Sequence, residues 1–233
     1  MENIAARLEF IHSRIAAAAQ SSGRQASAIE LIAVSKTHPA ETVREAFEAG
    51  QIVFGENKVQ ELLGKAPLLP SAVRWHLIGH LQKNKIRKVL PQVELIHGVD
   101  SLELAREIDR IAAELGLFPR ALLEVNVSAE ASKFGFQPEL LKSQLGEILA
   151  LPRLQVEGFM TIAPYVEEPA EARPFFVALR TLRDELAVEA GIPFSTLSMG
   201  MSGDFEVAIE EGATLVRVGT AIFGARPKNP PAA

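Results

Sequence analysis

Eight short apolar runs, each followed by a stretch with helical patterning, constrain this chain more than any other feature of it. The runs lie at 31–36, 51–55, 74–79, 94–98, 121–127, 155–160, 195–198 and 215–219. Apolar runs of this length bounded by Gly, Pro or polar clusters read as buried strands. Between them the spacing predicts helices over 39–49, around Val59, Leu62 and Leu63, and over 82–90, 101–115, 138–150, 170–190 and 205–211. Pro39 opens one at its first turn, and Asp100 or Ser101 caps another. A further amphipathic helix over 2–22 precedes the first strand, with Ile4, Leu8, Ile11 and Ile15 at helical spacing. Strand–helix alternation repeated eight times points to an α/β fold, the parallel (β/α)8 TIM barrel with an extra N-terminal helix that could cover a barrel end. A doubly wound open sheet is the alternative. It usually carries a glycine-rich turn after the first strand, and SKTHP (35–39) is not one. No shift of composition divides the chain, so residues 1–233 are expected to form one domain, with 225–233 a flexible tail.

The first run ends in a lysine. Alternation places Ile32, Val34 and Lys36 on one side of the strand and Leu31, Ala33 and Ser35 on the other. Lys36 thus shares a face with core residues, where an ammonium is costly unless it is paired, deprotonated or covalently used. One reading is a stem that packs while its head reaches water. The other is an amine of lowered pKa, suited to Schiff-base chemistry with an aldehyde.

Barrel enzymes keep their chemistry at the C-terminal ends of the strands and often bind phosphate after strands seven and eight. Here the loop 198–204 (SMGMSGD) offers Ser198, Gly200, Ser202 and a helix start, and Gly219-Thr220 follows strand eight. Such loops either cap helices or present N–H groups to an anion. Asp204 and Glu206 suit the helix dipole but oppose a phosphate. Arg217 lies in an otherwise apolar strand, on the side of Leu215 and Gly219. A guanidinium there needs an acceptor: a carboxylate such as Glu124 or Glu157, or a ligand atom in the barrel mouth.

An amine for an aldehyde, a phosphate cradle and an arginine together suggest pyridoxal 5′-phosphate (PLP). Seven segments, AVSKTHP (33–39), FGENKVQEL (54–62), WHLIGHLQKNK (75–85), HGVDS (97–101), EVNVSAEASKFGF (124–136), GFMTIAP (158–164) and LSMGMSGDFEVAIEEGATLVRVGTAIFGAR (197–226), carry a resemblance that runs nearly end to end. They resemble the pyridoxal phosphate homeostasis protein family, the single-domain relatives of the alanine racemase barrel. The resemblance implies that Lys36 forms the internal aldimine. It also implies that Ser198, Gly200, Ser202, Gly219 and Thr220 surround the phosphate, that Arg217 faces the pyridine nitrogen, and that Asn57 lies near the ring. Gly203 and Phe134 depart from it, standing where the family often has a larger residue and a small or polar one.

A permanent cation at the pyridine nitrogen weakens the ring as an electron sink, which disfavours transamination and decarboxylation. Racemisation needs an acid/base group on each face. Lys36 serves one; Tyr165, His80 and His97 are the candidates for the other. His76 and His80 share a strand face without a third ligand, so no metal is expected. Lys133 follows strand five, where a second lysine would accept the aldehyde in transit. The function expected is therefore a PLP-binding homeostasis protein that buffers or delivers the cofactor without turnover, with PLP-dependent apo-enzymes as recipients. A low-activity amino-acid racemase is the alternative, and a cofactor-free Schiff-base aldolase the third reading. The net charge of −5 argues against nucleic acid, so the run 83–88 (KNKIRK) reads as a solvated helix face with Ile86, Val89 and Leu90 inward. The chain lacks cysteine, which suits a reducing cytoplasm, and shows neither a signal-peptide core nor a membrane span. A monomer is expected.

Overall fold

The structure, a computed structural model, describes residues 3–128, 130 and 133–224. Eight parallel strands close into a barrel in sequence order. They are β1 (Glu30–Val34), β2 (Val53–Glu56), β3 (Arg74–Leu77), β4 (Leu95–Val99), β5 (Arg120–Glu124), β6 (Gln155–Met160), β7 (Thr196–Met201) and β8 (Leu215–Val218). β1 pairs with both β2 and β8, which removes every sheet edge. The tail expected at 225–233 lies outside the described residues.

The period-two reading of β1 holds. Ile32 and Val34 join Ile78, Leu122, Met160 and Leu215 in an interior cluster, whereas Leu31 and Ala33 belong to the larger cluster between strands and helices. That outer layer is supplied by α1 (Ile4–Ser21), α2 (Ala40–Glu48), α3 (Val59–Lys65), α4 (Ile86–Val89), α5 (Leu102–Leu115), α6 (Pro138–Leu149), α7 (Arg173–Ala190), α8 (Phe205–Glu210) and α9 (Thr220–Phe223). Ser101 caps α5 by accepting from the N–H of Leu104, and Gly116 ends it in the left-handed region at φ 70°.

Three elements differ from expectation. The helix expected over 82–90 is broken into a 3₁₀ turn, the short α4 and a second 3₁₀ turn containing Pro91, because proline cannot continue an α-helical ladder. Its inward residues are as expected: Ile86, Val89 and Leu90 are buried, while Lys83 and Arg87 pair with Glu103 and Glu114. β7 runs on to Met201, so Gly200 belongs to the strand and the loop before α8 is short. The added helix α1 packs laterally against α8, α9 and α2 rather than over a barrel end. The reason is geometric: α8 and α9 are too short to cover β7, β8 and β1, and the apolar stripe Leu8, Ile11 and Ile15 completes that wall.

Candidate functional site

Closure of the barrel brings β7, β8 and β1 side by side, and with them the sequence features that stood farthest apart. Ile32 registers with Arg217, and Gly219 lies so close to β1 that a Cβ on it would sit 3.2 Å from the Val34 carbonyl oxygen. Lys36, half-buried, therefore emerges beside the end of β8. The two expected anion loops are joined directly: the Gly219 N–H donates to Ser202 Oγ at 3.2 Å. Gly203 and Thr220 are exposed beside them, and a Cβ on Gly203 would meet nothing within 4 Å. The two acidic residues of this region are turned elsewhere. Asp204 accepts from the Met201 N–H at 2.6 Å, with burial raising its pKa, and Glu206 pairs with Arg14 of α1. Gly200 has φ 90° and faces α8, where a Cβ would lie 2.6 Å from Ala208 Cβ. Its contribution is to let α8 start close to the strand end.

Ser198 departs from the expected cradle. Its side chain is fully buried in the barrel, where its hydroxyl bonds His97 Nδ1 at 2.9 Å and accepts from Arg217. The reason is strand parity together with the longer β7: Met160 registers with Ser198, and both face inward. His97 in turn meets His76 across 3.1 Å. A polar chain, His76–His97–Ser198–Arg217, thus crosses the barrel interior, and Arg217 Nη2 donates to the Thr161 carbonyl at 2.8 Å. Burial holds both histidines neutral, His76 at about 4 and His97 well below its ordinary value. His97 is fully committed here, and His76 does not pair with His80.

Arg217 is buried, yet among the described residues no carboxylate lies within ion-pair distance of it. Of the two acceptors expected, Glu157 pairs with Arg120, and Glu124 acts on Arg217 only through its field. Burial lowers the Arg217 pKa to about 10, so it stays charged at neutral pH. A permanent cation held by one hydroxyl and one carbonyl leaves capacity for a ligand acceptor at the mouth. On the other side of β1, just past the end of β2, Asn57 is half-buried and lines a cavity of about 460 Å³ with His80 and Gln82. Gly79 permits this: a Cβ there would be 2.4 Å from the Asn57 carbonyl oxygen. His80 pairs with Asp100 at 2.8 Å and stacks on Phe134. Lys133 lines a second cavity with Glu124 and Asn126 and pairs with Glu130. Tyr165 is 94% exposed.

Comparison with known proteins decides the family. The model of the family described as alanine racemase, N-terminal domain, matches residues 8–227. The pyridoxal phosphate homeostasis protein of Aquifex aeolicus (strain VF5) is 46% identical over 225 residues, 96% of this chain and 99% of that one. The protein of the same name from Pseudomonas aeruginosa is 44% identical, with all of both chains covered. The chain belongs to the pyridoxal phosphate homeostasis protein family. Among solved structures, PipY of Synechococcus elongatus PCC7942 with PLP bound has a TM-score of 0.85 at 42% identity, covering 95% of this chain and 100% of that one. Alanine racemase of Clostridium difficile 630 has a TM-score of 0.70 at 18% identity, covering 86% of this chain and 53% of the racemase, a likeness of fold alone.

Within this member of the family, Glu124, expected from the sequence only as a candidate partner of Arg217, is a buried group at the site in its own right. It follows Leu122 by two residues and faces the interior near the mouth. Burial, with the field of Asp100, raises its pKa to about 7. The folded protein therefore keeps this proton to a higher pH than the unfolded chain does. The associated stability is complete below the ordinary carboxylate value and is lost as pH rises through about 7, a loss on the order of 3 kcal/mol. Glu124→Gln removes the titration and keeps the shape. The variant is expected to match the wild type in urea at pH 5 and to be the more stable at pH 8. An equal difference at both pH values would refute the assignment.

Proposed function

We propose that this protein binds PLP as part of cytoplasmic PLP homeostasis, holding it as a Schiff base on Lys36 and buffering or delivering it to PLP-dependent apo-enzymes. The observation that carries the reading is the convergence of Lys36, Arg217 and the joined Ser202–Gly219 loops on three adjacent strands of one barrel mouth. The residues fit the cofactor: a buried guanidinium without a carboxylate suits an unprotonated pyridine nitrogen, and the glycine-lined junction suits a phosphate. PLP supplies an aldehyde for imine formation and a conjugated ring that can accept electrons. The chain supplies the Lys36 amine. Ser202, Gly203, Gly219 and Thr220 would hold the phosphate and Asn57 would lie near the ring, while Gly200 shapes the loop from behind. Ser198 acts through Arg217, whose orientation it fixes. The membership and name of the relatives, and the PLP bound to PipY, support the cofactor.

Binding without turnover is favoured by the groups around the mouth. Arg217 keeps the electron sink weak, Tyr165 stands out in solvent and His97 is locked inside the barrel. In this reading Lys133, which lines a cavity with Glu124, would receive the aldehyde in transit. The whole 1–233 chain is read as a single PLP-binding unit acting as a monomer. Among the described residues no helix is long and apolar enough to cross a membrane.

The test is an absorbance spectrum of the purified protein with PLP, before and after borohydride, followed by peptide mass mapping. The expected result is a yellow band lost on reduction and a phosphopyridoxyl mass on Lys36. Amino acids added in deuterated water should exchange their α-hydrogen no faster than with free PLP. A colourless protein that stays unmodified would overturn the reading.

A further inference from the structure

Behind Lys36, on the opposite face of β1, lies a buried charged cluster that the sequence reading did not include. Glu56 at the end of β2 is fully buried and Lys65 of α3 nearly so. Lys65 Nζ donates to Glu56 Oε1 at 2.6 Å and to the Ser35 carbonyl at 2.9 Å. Ser35 Oγ donates to the same Glu56 oxygen at 2.7 Å. Lys65 also lies 3.7 Å from Glu61, one helical turn before it, and Glu61 Oε2 accepts from the Thr37 N–H at 2.7 Å. The cluster thus grips the chain on both sides of Lys36, at Ser35 and at Thr37.

Thr37 carries the second observation. Its φ is 67°, in the left-handed region, where a β-branched residue is strained unless its surroundings over-determine it. Two bonds restrain its backbone: the His38 N–H donates to the Ser35 carbonyl at 3.1 Å, closing the turn through Lys36 and Thr37, and Glu61 accepts from the Thr37 N–H itself. Thr37 Oγ1 and Glu56 Oε2 are buried without a hydrogen-bond partner, so the arrangement is not the one that best satisfies these residues in isolation. Strain of this kind at a residue next to a reactive group is a mark of pre-organisation.

We infer that Glu61, oriented by Lys65, is a positioning residue for Lys36: its bond to the Thr37 N–H holds the β1 exit in the strained turn that presents the lysine amine to a bound aldehyde. This rests on the PLP reading above and names residues it does not include. The step served is attack of the neutral Nζ on the aldehyde carbon, forming the C=N bond and releasing water. One ammonium, Lys65, serves two carboxylates here, Glu56 at 2.6 Å and Glu61 at 3.7 Å, and burial raises the pKa of Glu56, the more deeply buried of the two.

Glu61 is on a helix surface and its side chain is only partly buried, so its replacement leaves the core intact. The experiment uses cofactor-free full-length protein and two probes: PLP, and pyridoxine 5′-phosphate, which has an alcohol in place of the aldehyde. Glu61→Ala removes the acceptor, and Glu61→Gln keeps one. The expected result is a roughly tenfold slower rise of the yellow band in Glu61→Ala. Glu61→Gln should recover to within about twofold, and pyridoxine 5′-phosphate affinity should be unchanged in both. Wild-type capture rates in Glu61→Ala overturn the clamp and leave the PLP reading standing. Equal slowing in Glu61→Gln, or a parallel loss of pyridoxine 5′-phosphate binding, overturns it too, because charge or general pocket damage then explains the effect. A wild-type protein that forms no adduct on Lys36 overturns both inferences at once.

Discussion

Lys36→Ala is expected to abolish the borohydride-sensitive yellow species and to weaken retention of PLP by about two orders of magnitude, equivalent to roughly 3 kcal/mol. The residual affinity comes from the loop donors and Arg217, which the substitution does not touch. Folding should be retained, since Lys36 is half-buried in the turn beyond the end of β1 rather than in the core. Equilibrium dialysis against PLP, with far-ultraviolet circular dichroism as the folding control, measures both. Retention unchanged in the variant would mean that the aldehyde is captured elsewhere, and Lys133 would be the residue to examine next.

Gly200→Ala should produce the largest structural effect among the site residues. The position has φ 90°, and a Cβ there would stand 2.6 Å from Ala208 Cβ and 2.9 Å from Phe205 Cα. The second of these is helix backbone, which cannot rotate away. Strain and overpacking together are expected to cost roughly 3 kcal/mol. At about 2–4 °C per kcal/mol for a chain of this size, the melting temperature should fall by roughly 10 °C. Because α8 begins beside Ser202, PLP affinity should fall as well. Calorimetry with and without PLP separates the two losses. A melting temperature within 2 °C of wild type would show that α8 can withdraw freely, and the close approach would then have no role in shaping the loop.

Part of this site was legible because strand parity is a local property. Arg217 follows Leu215 by a step of two, so its inward direction could be read from the chain itself; Lys36 continues the Ile32–Val34 alternation into the turn beyond the end of β1. Taking strand seven to end at 198 assigned Ser198 to the loop that follows, and the family resemblance then implied that it surrounds the phosphate. The strand runs three residues farther, and the side chain belongs to the interior. Strand ends are set by pairing with β6 and β8, and that pairing includes a register shift between Ser198 and Met201 that no local pattern records.

By itself the sequence determined the eightfold strand–helix alternation, the inward placing of Arg217, and the motifs that mark the family. Periodicity and glycine chemistry act over a few residues, so they are written in the order of the chain. Only the tertiary structure decided which carboxylates answer which cations. Arg217 was expected to meet Glu124 or Glu157, but Glu157 is taken by Arg120 and Glu124 stays apart. Lys65 and Glu56, nine residues apart and unremarkable in sequence, form the buried pair behind Lys36. A buried charge is tolerable only where specific partners converge. Those partners come from β1, β2 and α3, elements that are brought together only when the barrel closes.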